Sequence, residues 1–362
     1  MDSPHRVGQR LAGKRVVTIG GGTGPFAVLS NLKKYPCSIT AVVSMADSGG
    51  SSRRLMDEFG QLPFGDLRQA LVALSRNGVL WRDVFNFRFP TGGNTNHTSQ
   101  GEQINRVEGV GGHSLGNLII SALQGINEGN LLLAVQDAQE LLETAGDVLP
   151  VTLEHTTLCA EFTDSSTLCG ETDIDTRGLK EPGPLPSIKR IFLSGPTPAC
   201  PQAIRALRRA DVIIIGPGDL YTSILPNLLV EDVARTIRES EAEKVYVCNL
   251  MTKHGETDAF QASDFVREIH HYLGGRVDRV ILHDGSFPEH LIESYAEQQQ
   301  HPVLPDVSRV QELVPEVIVD RLTAIGTDHY VRHDPERLVR AALAPASNEW
   351  SSSAWQLDTS GL

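Results

Sequence analysis

Short runs of glycine, hydroxyl, amide and charged residues recur along this chain, most of them where an apolar run stops. The first is Gly20-Gly21-Gly22-Thr23-Gly24, followed by Pro25. Glycine lets the backbone take positive φ and come close to a ligand. Proline suits the first turn of a helix, where its missing N–H costs nothing. The free amides and the dipole at such a turn suit an anion, most often phosphate. Gly21, Gly22, Thr23 and Gly24 are therefore candidate phosphate binders. The run is not a P-loop, because no Gly-Lys-Ser/Thr follows it. Nor does it make a dinucleotide fingerprint, because the third glycine of GxGxxG would fall at Pro25 or Ala27.

The second run, Asp47-Ser48-Gly49-Gly50-Ser51-Ser52, ends in Arg53-Arg54. Asp47 could bind a ribose, with Ser51 to Arg54 taking the extra phosphate of NADP. It could instead hold Mg²⁺ with hard oxygens, place a reacting hydroxyl near a phosphate, or close an Asx-turn. In His113-Ser114-Leu115-Gly116-Asn117, His113 could act as a general acid or donate to phosphate, while Ser114 could simply cap a helix. Gly112-His113-Ser114-Leu115-Gly116 has the spacing G-x-S-x-G, but no separate reason points to a Ser–His–Asp triad there. Gly216-Pro217-Gly218-Asp219 repeats the opening grammar. Asn249 could read a base or a sugar hydroxyl, or serve a turn. Near the end, Arg332 in Tyr330-Val331-Arg332-His333-Asp334 could clasp a diphosphate with its planar fork, or lie at the surface beside Asp334 capping the last helix.

The elements that would position these groups follow from periodicity. Val16–Ile19 and Ile39–Val43 read as strands flanking an amphipathic helix marked by Phe26, Val28, Leu29 and Leu32. This is a βαβ unit, with both loops at the carboxyl ends of its strands, where open α/β sheets bind ligands. Asp66 stands at an N-cap position before Leu67, Ala70, Leu71 and Leu74, and Val79–Phe89 reads as another helix. Helices follow at Leu118–Leu123 and Asn130–Thr144, and Leu149–Phe162 reads as paired strands. Asp164–Pro186 reads as hairpin tips and a loop. Strands at Ile188–Leu193, Asp211–Ile215, Lys244–Cys248 and Val277–Leu282 then alternate with helices near Pro201–Ala210, Tyr221–Leu228, Glu231–Ser240 and Ser263–Tyr272. The expected fold is a three-layer α/β/α, Rossmann-like domain with a mainly parallel sheet and an inserted helical and hairpin region. Residues 1–13 read as an extension, 14–340 as one domain with a loop insertion at 91–112, and 345–362 as a frayed tail.

Composition narrows the partners. At 362 residues, 40% hydrophobic and 21% charged, the chain is expected to be globular. A formal net charge of −13 with no basic block argues against nucleic acid. Five cysteines without a CxxC pair suggest neither a disulfide framework nor a zinc site, only buried or spare thiols in a reducing compartment. No apolar run approaches the roughly 20 residues of a membrane span, and the first residues lack the apolar core of a signal peptide. A cytoplasmic protein is the expectation. The apolar Leu118–Leu123 could serve a core or an interface between copies.

Taken together, GGGTG, the Asp-Ser-Gly-Gly-Ser-Ser loop, LPFGDLRQALVALS, GHSLGNLI, GPGDLYTSILPNLLV, YVCNLMTKHGETDAF and RHDPERL resemble the gluconeogenesis factor (YvcK-type) family of the CofD-like superfamily. The motifs run in family order from Lys14 to Leu338. The resemblance implies a binding protein for UDP-sugars such as UDP-N-acetylglucosamine, linked to carbon metabolism and cell shape. The superfamily's other kind is 2-phospho-L-lactate transferase, which uses Mg²⁺ to move a phospholactyl group from a guanylyl donor to a deazaflavin. The resemblance implies nucleotide binding by Gly21, Gly22, Thr23, Gly24, Gly216, Gly218 and Asn249. It implies UDP-sugar contacts for Tyr295 and Arg332, and an acceptor or metal role for Asp47 if the protein is an enzyme; Ser48, Gly49 and Asn117 are further candidates for sugar or substrate contacts. The loop Thr91–Gly112 is longer than the family pattern. Met45-Ala46-Asp47-Ser48 also lacks a second acid beside Asp47, which weakens a metal there. An NADP-dependent oxidoreductase is the third reading; it fits the Arg53-Arg54 pair but lacks the glycine fingerprint.

Overall fold

The structure, a computed structural model, describes residues 11–46, 62–90, 110–180, 183–325 and 331–344. The chain opens with β1 (Arg15–Gly20), α1 (Gly24–Leu32) and β2 (Ser38–Val43). Helices α2 (Gly65–Leu74), α3 (Gly78–Asn86), α4 (Leu115–Ile126) and α5 (Leu131–Leu141) follow. Then come β3 (Asp147–Pro150), β4 (Leu158–Phe162), β5 (Thr167–Cys169), α6 (Glu171–Asp175), α7 (Arg177–Lys180) and β6 (Ile188–Leu193). Alternation resumes with α8 (Pro201–Arg209), β7 (Val212–Ile215), a π-helical turn (Leu220–Ile224), α9 (Leu225–Leu229), α10 (Val233–Glu239) and β8 (Glu243–Val247). The chain continues through α11 (Ala262–Leu273), β9 (Arg279–His283), α12 (Glu289–Ala296), α13 (Val307–Leu313) and β10 (Glu316–Asp320). A hairpin of β11 (Thr323–Ile325) and β12 (Val331–His333) leads into α14 (Pro335–Ala342).

Seven strands form one parallel sheet in the order β10-β9-β8-β7-β1-β2-β3. Its middle strands are apolar on both faces, as a sheet covered by helices on each side requires. Ile213, Ile214 and Ile215 of β7 are fully buried, as are Val280 and Ile281 of β9. The strand order reverses between β1 and β7: β1 runs on to β2 on one side and pairs β7 on the other. Ile19 stands opposite Ile215, so the loops after both strands leave the sheet side by side. The expected α/β/α fold is the one observed, and β4, β5 and β6 form the inserted antiparallel sheet.

Several local expectations are corrected. Leu149–Phe162 does not form a pair of strands with itself. β3 joins β2 in parallel as an edge of the large sheet, while β4 belongs to the small one. An edge tolerates Pro150, which has no ladder N–H to lose. Cys159 and Cys169 are not spare thiols: they are bonded as a disulfide across the antiparallel register of β4 and β5. Residue spacing alone cannot show that register. Tyr221–Leu228 is a π-helical turn followed by a short α-helix, with Pro226 near the start of the latter. Strand β10 and the β11–β12 hairpin had no clear periodic signal, and β10 is only half-buried along its length. The apolar Leu118–Leu123 lies in α4, where Ile120 is buried and Leu118, Ile119 and Leu123 pack on the core. Among the described residues no helix is long and apolar enough to cross a membrane.

At the starts of β8, β9 and β10, one fully buried guanidinium ties three strands together. Arg279 donates through Nε to Glu316 Oε2 at 2.9 Å and through Nη1 to the Ala342 carbonyl at 3.1 Å, and its Nη2 lies 2.8 Å from Glu243 Oε1. Removing one partner of a buried ion pair leaves the others desolvated and uncompensated. Arg279→Ala should therefore cost about 3 kcal/mol of stability, read as a lower urea midpoint. An unchanged midpoint would show that water screens the two glutamates.

Candidate functional site

The reversal of strand order between β1 and β7 opens a crevice at their carboxyl ends, and the two glycine loops meet in it. They interlock at backbone distance. A Cβ on Gly24 would lie 2.2 Å from the Pro217 carbonyl oxygen, so only glycine fits there. Gly22 holds φ +67° and Gly218 φ +157°, both conformations that side chains resist. Asn249, just past β8, donates through Nδ2 to the Gly218 carbonyl at 2.8 Å. Its buried Oδ1 has no hydrogen-bond partner among the described residues.

The loops floor a cleft of about 790 Å³. Gly21, Gly22, Thr23, Gly24, Gly218, Asn249, Tyr295 and Arg332 all line it, so eight of the residues singled out in the sequence come together. Gly216 stands behind the wall, where a Cβ would meet Ile224 Cδ1 at 3.0 Å. His113 and Asn117 are buried and off the cleft wall, at the start of α4. Arg68 lies close by, since a Cβ on the intervening Gly116 would sit 2.7 Å from Arg68 Cδ. Ser114 takes the capping role, its hydroxyl accepting from Asn117 N–H at 3.3 Å. Asp47, Ser48 and Gly49 fall outside the described residues.

Asp66 behaves differently from the N-cap its position suggested. Phe64 is the N-cap of α2, with no side-chain cap bond. The Asp66 carboxylate instead reaches across to accept from Gly22 N–H at 2.7 Å. That amide is therefore occupied by a carboxylate; of the others at the start of α1, Pro25 has no N–H and the Phe26 amide donates to the Thr23 carbonyl at 3.3 Å, while among the described residues the Gly24 amide makes no hydrogen bond. A smaller hollow of about 180 Å³ adjoins the cleft. Asp66, Glu171, Thr222 and Ser223 line it, and it shares Gly22, Thr23 and Ser223 with the larger space.

Lys253 is a wall residue that the sequence analysis missed. Its Nζ donates to Asp175 and, at 2.8 Å, to Asp219 Oδ2. Glu256 Oε1 stands 3.2 Å away, a charge contact without aligned hydrogen-bond geometry. Burial pulls the ammonium's pKa down, but Glu256, Asp219 and Asp175 together outweigh it and leave Lys253 firmly protonated. Burial likewise pushes the Glu256 carboxyl up, to about 8, against the pull of Lys253. A place in the loop after β8, four residues beyond Asn249, was the available signal. Its partner Asp175 comes from the inserted region, and no spacing rule connects them.

The far wall is the β11–β12 hairpin. Val331 N–H donates to the Tyr295 hydroxyl at 3.0 Å, so the phenol struts the strand that presents exposed Arg332. Asp334 caps α14 by accepting from the Glu336 and Arg337 amides. His333, also on the wall, sits 3.3 Å from the Cys248 carbonyl through Nε2. A carbonyl can only accept, so Nε2 carries the proton and Nδ1 is left as an acceptor. Burial pulls His333 down to about 4.

Gly24→Ala should force the two loops apart, lowering Tm and weakening any cleft ligand, whereas Gly125→Ala, whose Cβ meets open space on α4, should be neutral or slightly stabilising. Equal Tm for the two variants would show that the loop contact relaxes freely. For His333, the unfolded chain takes up a proton near pH 6.5 and the folded one only near 4. Its contribution is present above 6.5 and lost as pH falls toward 4. The Tm of His333→Gln should therefore fall less than that of the wild type over this window, and parallel curves would remove His333 as the cause.

Comparison with known proteins bears on the family and the fold. The CofD family, described as 2-phospho-L-lactate transferase CofD, matches residues 16–323. The chain is 38% identical over 332 residues to the gluconeogenesis factor of Halalkalibacterium halodurans, covering 91% of this chain and 96% of that one. It is 37% identical over 329 residues to the gluconeogenesis factor of Bacillus subtilis, covering 90% and 95% respectively. A crystal structure of a Bacillus halodurans protein superposes with a TM-score of 0.81 at 37% identity, over 91% of this chain and 99% of that one. On the reach and identity of these matches, the chain belongs to the gluconeogenesis factor family of the CofD-like superfamily.

Proposed function

We propose that the cleft binds a nucleotide-sugar, a UDP-sugar such as UDP-N-acetylglucosamine, and that the protein is a cytoplasmic regulator linking that ligand to carbon metabolism and cell shape. One observation carries the reading: two interlocked glycine loops at the topological switch point open into a cleft of about 790 Å³ that faces Arg332. That volume suits a ligand of this size. The start of α1 offers amides and a dipole to the diphosphate, and Arg332 offers a planar fork from the other side. Asn249 Oδ1 is an acceptor awaiting a donor from base or ribose. Sugar hydroxyls have Asp66, Thr222 and Ser223 within the adjoining hollow.

A transferase of the CofD kind is the second reading, favoured by the family match itself. Among the described residues no group of three or more His, Cys, Asp or Glu side chains is arranged to hold a metal ion. Asp47, the one candidate Mg²⁺ ligand from the sequence, lies outside those residues.

Thermal-shift titration with UDP-N-acetylglucosamine, GTP and NADPH, each with and without Mg²⁺, ranks the readings. A ligand at a hundred times its Kd adds about 2.7 kcal/mol to the native state. UDP-N-acetylglucosamine should give the largest shift, and Arg332→Ala should weaken it about tenfold, or ~1.4 kcal/mol, with the ligand-free Tm kept. A shift by GTP together with turnover of a deazaflavin would replace this reading with the transferase. Stabilisation by NADPH alone would sink both.

A further inference from the structure

A second groove, of about 460 Å³, lies on the sheet near the starts of β1, β2 and β3, between α5 and α8. Val17 stands opposite Thr40 in the parallel register, and Thr40 opposite Asp147, so one row of three strands runs along its floor. This is the end of the sheet away from the glycine loops, which leave β1 and β7 at their carboxyl ends.

The rim is rich in cationic and amide groups. Arg205 and Arg209 sit one turn apart on α8, so they share a face of the helix. Among the described residues neither makes an ion pair or a hydrogen bond, although the chain carries a formal net charge of −13. Arg15, also on the rim, is neutralised by Asp211, to which it donates through Nε at 3.0 Å and Nη2 at 3.1 Å. Asp147 is the one carboxylate of the lining, so the groove retains an excess of one positive charge. Basic residues in a last turn do offset the helix dipole. That accounts for Arg208 and Arg209 but not for Arg205, which stands a full turn earlier. Gln136 and Gln202 line the same space with amides that can both donate and accept.

We propose that this groove binds the phosphomonoester of a small polyhydroxylated molecule. Arg205 and Arg209 straddle the phosphate, since planar guanidinium forks match its oxygens. Gln136 and Gln202 read the hydroxyl groups, and the space is of the size that holds a small metabolite. The nucleotide cleft and this groove lie toward opposite ends of the same strands, so each can fill without blocking the other. The groove is thus a second ligand site, separate from the cleft.

Calorimetric titration of the full chain tests the assignment, with ribose 5-phosphate, ribose and inorganic phosphate as probes. The proteins compared are the wild type, the double variant Arg205→Gln/Arg209→Gln and the cleft variant Arg332→Ala. Both groove arginines are exposed, so the double variant should keep the wild-type circular dichroism. Ribose 5-phosphate should bind the wild type and Arg332→Ala alike, and the double variant about tenfold more weakly. Ribose should not bind, and inorganic phosphate should bind more weakly than the sugar phosphate. Equal affinity in the double variant, loss of binding in Arg332→Ala, phosphate binding as tight as the sugar phosphate, or no binding of any probe at millimolar concentration would each overturn the assignment.

Discussion

The site depends on one close approach, the seating of the first helical turn against the carbonyl of Pro217. The parallel pairing of β1 with β7 brings two separate loops to the same point, but pairing alone would leave them side by side. The missing Cβ of Gly24 lets them interlock. Everything else in the cleft is referred to that contact: Asn249 bonds the Gly218 carbonyl, and Asp66 fastens Gly22 from the opposite side. A ligand lying across both loops meets a single rigid surface, which lowers the cost of ordering on binding.

The architecture was legible because parallel strands buried on both faces read as continuous β-branched runs. Runs such as Val16–Ile19 and Ile213–Ile215 admit few other interpretations. The glycine loops were legible for a related reason, since four glycines around Thr23 have no role in a helix or strand interior. What escaped was whatever depended on register between distant segments. The Cys159–Cys169 bond requires β4 and β5 to align, and the Lys253–Asp175 contact requires the inserted sheet to return to the main one. Asp66 was misplaced for a subtler reason. A carboxylate in the first turn of a helix ordinarily serves that helix, and only the neighbouring loop offered it a better donor. His113 was singled out by its chemistry, yet the fold buries it behind the cleft wall.

Charge is distributed unevenly around the cleft. The floor offers backbone amides and the far wall Arg332, while Lys253 stands among three carboxylates. Burial first, and then the neighbouring Asp219 and Asp175, raise the Glu256 carboxyl against the pull of Lys253. A phosphate approaching this side meets a protonated lysine already held by Asp219, and must compete with that aspartate for it. Such competition favours a ligand whose anionic part lies toward Arg332 and the start of α1, with its neutral part toward Lys253.

The pairing of β1 with β7 also sets an order of events during synthesis. The hydrogen-bonded segments Arg15 and Asp211 are separated by 196 residues, so the opening strand leaves the ribosome long before its central neighbour exists. Until then β1 can pair only with β2, and the Gly20–Gly24 loop has nothing to seat against. The nascent N-terminal half therefore holds one of the two loops of the cleft floor and none of its far wall, which comes from the β11–β12 hairpin. The floor closes only after that long-range pairing, which is slow because the entropy of closing a long loop is paid before the contact rewards it. The cleft exists as a cavity only in molecules that are already nearly complete.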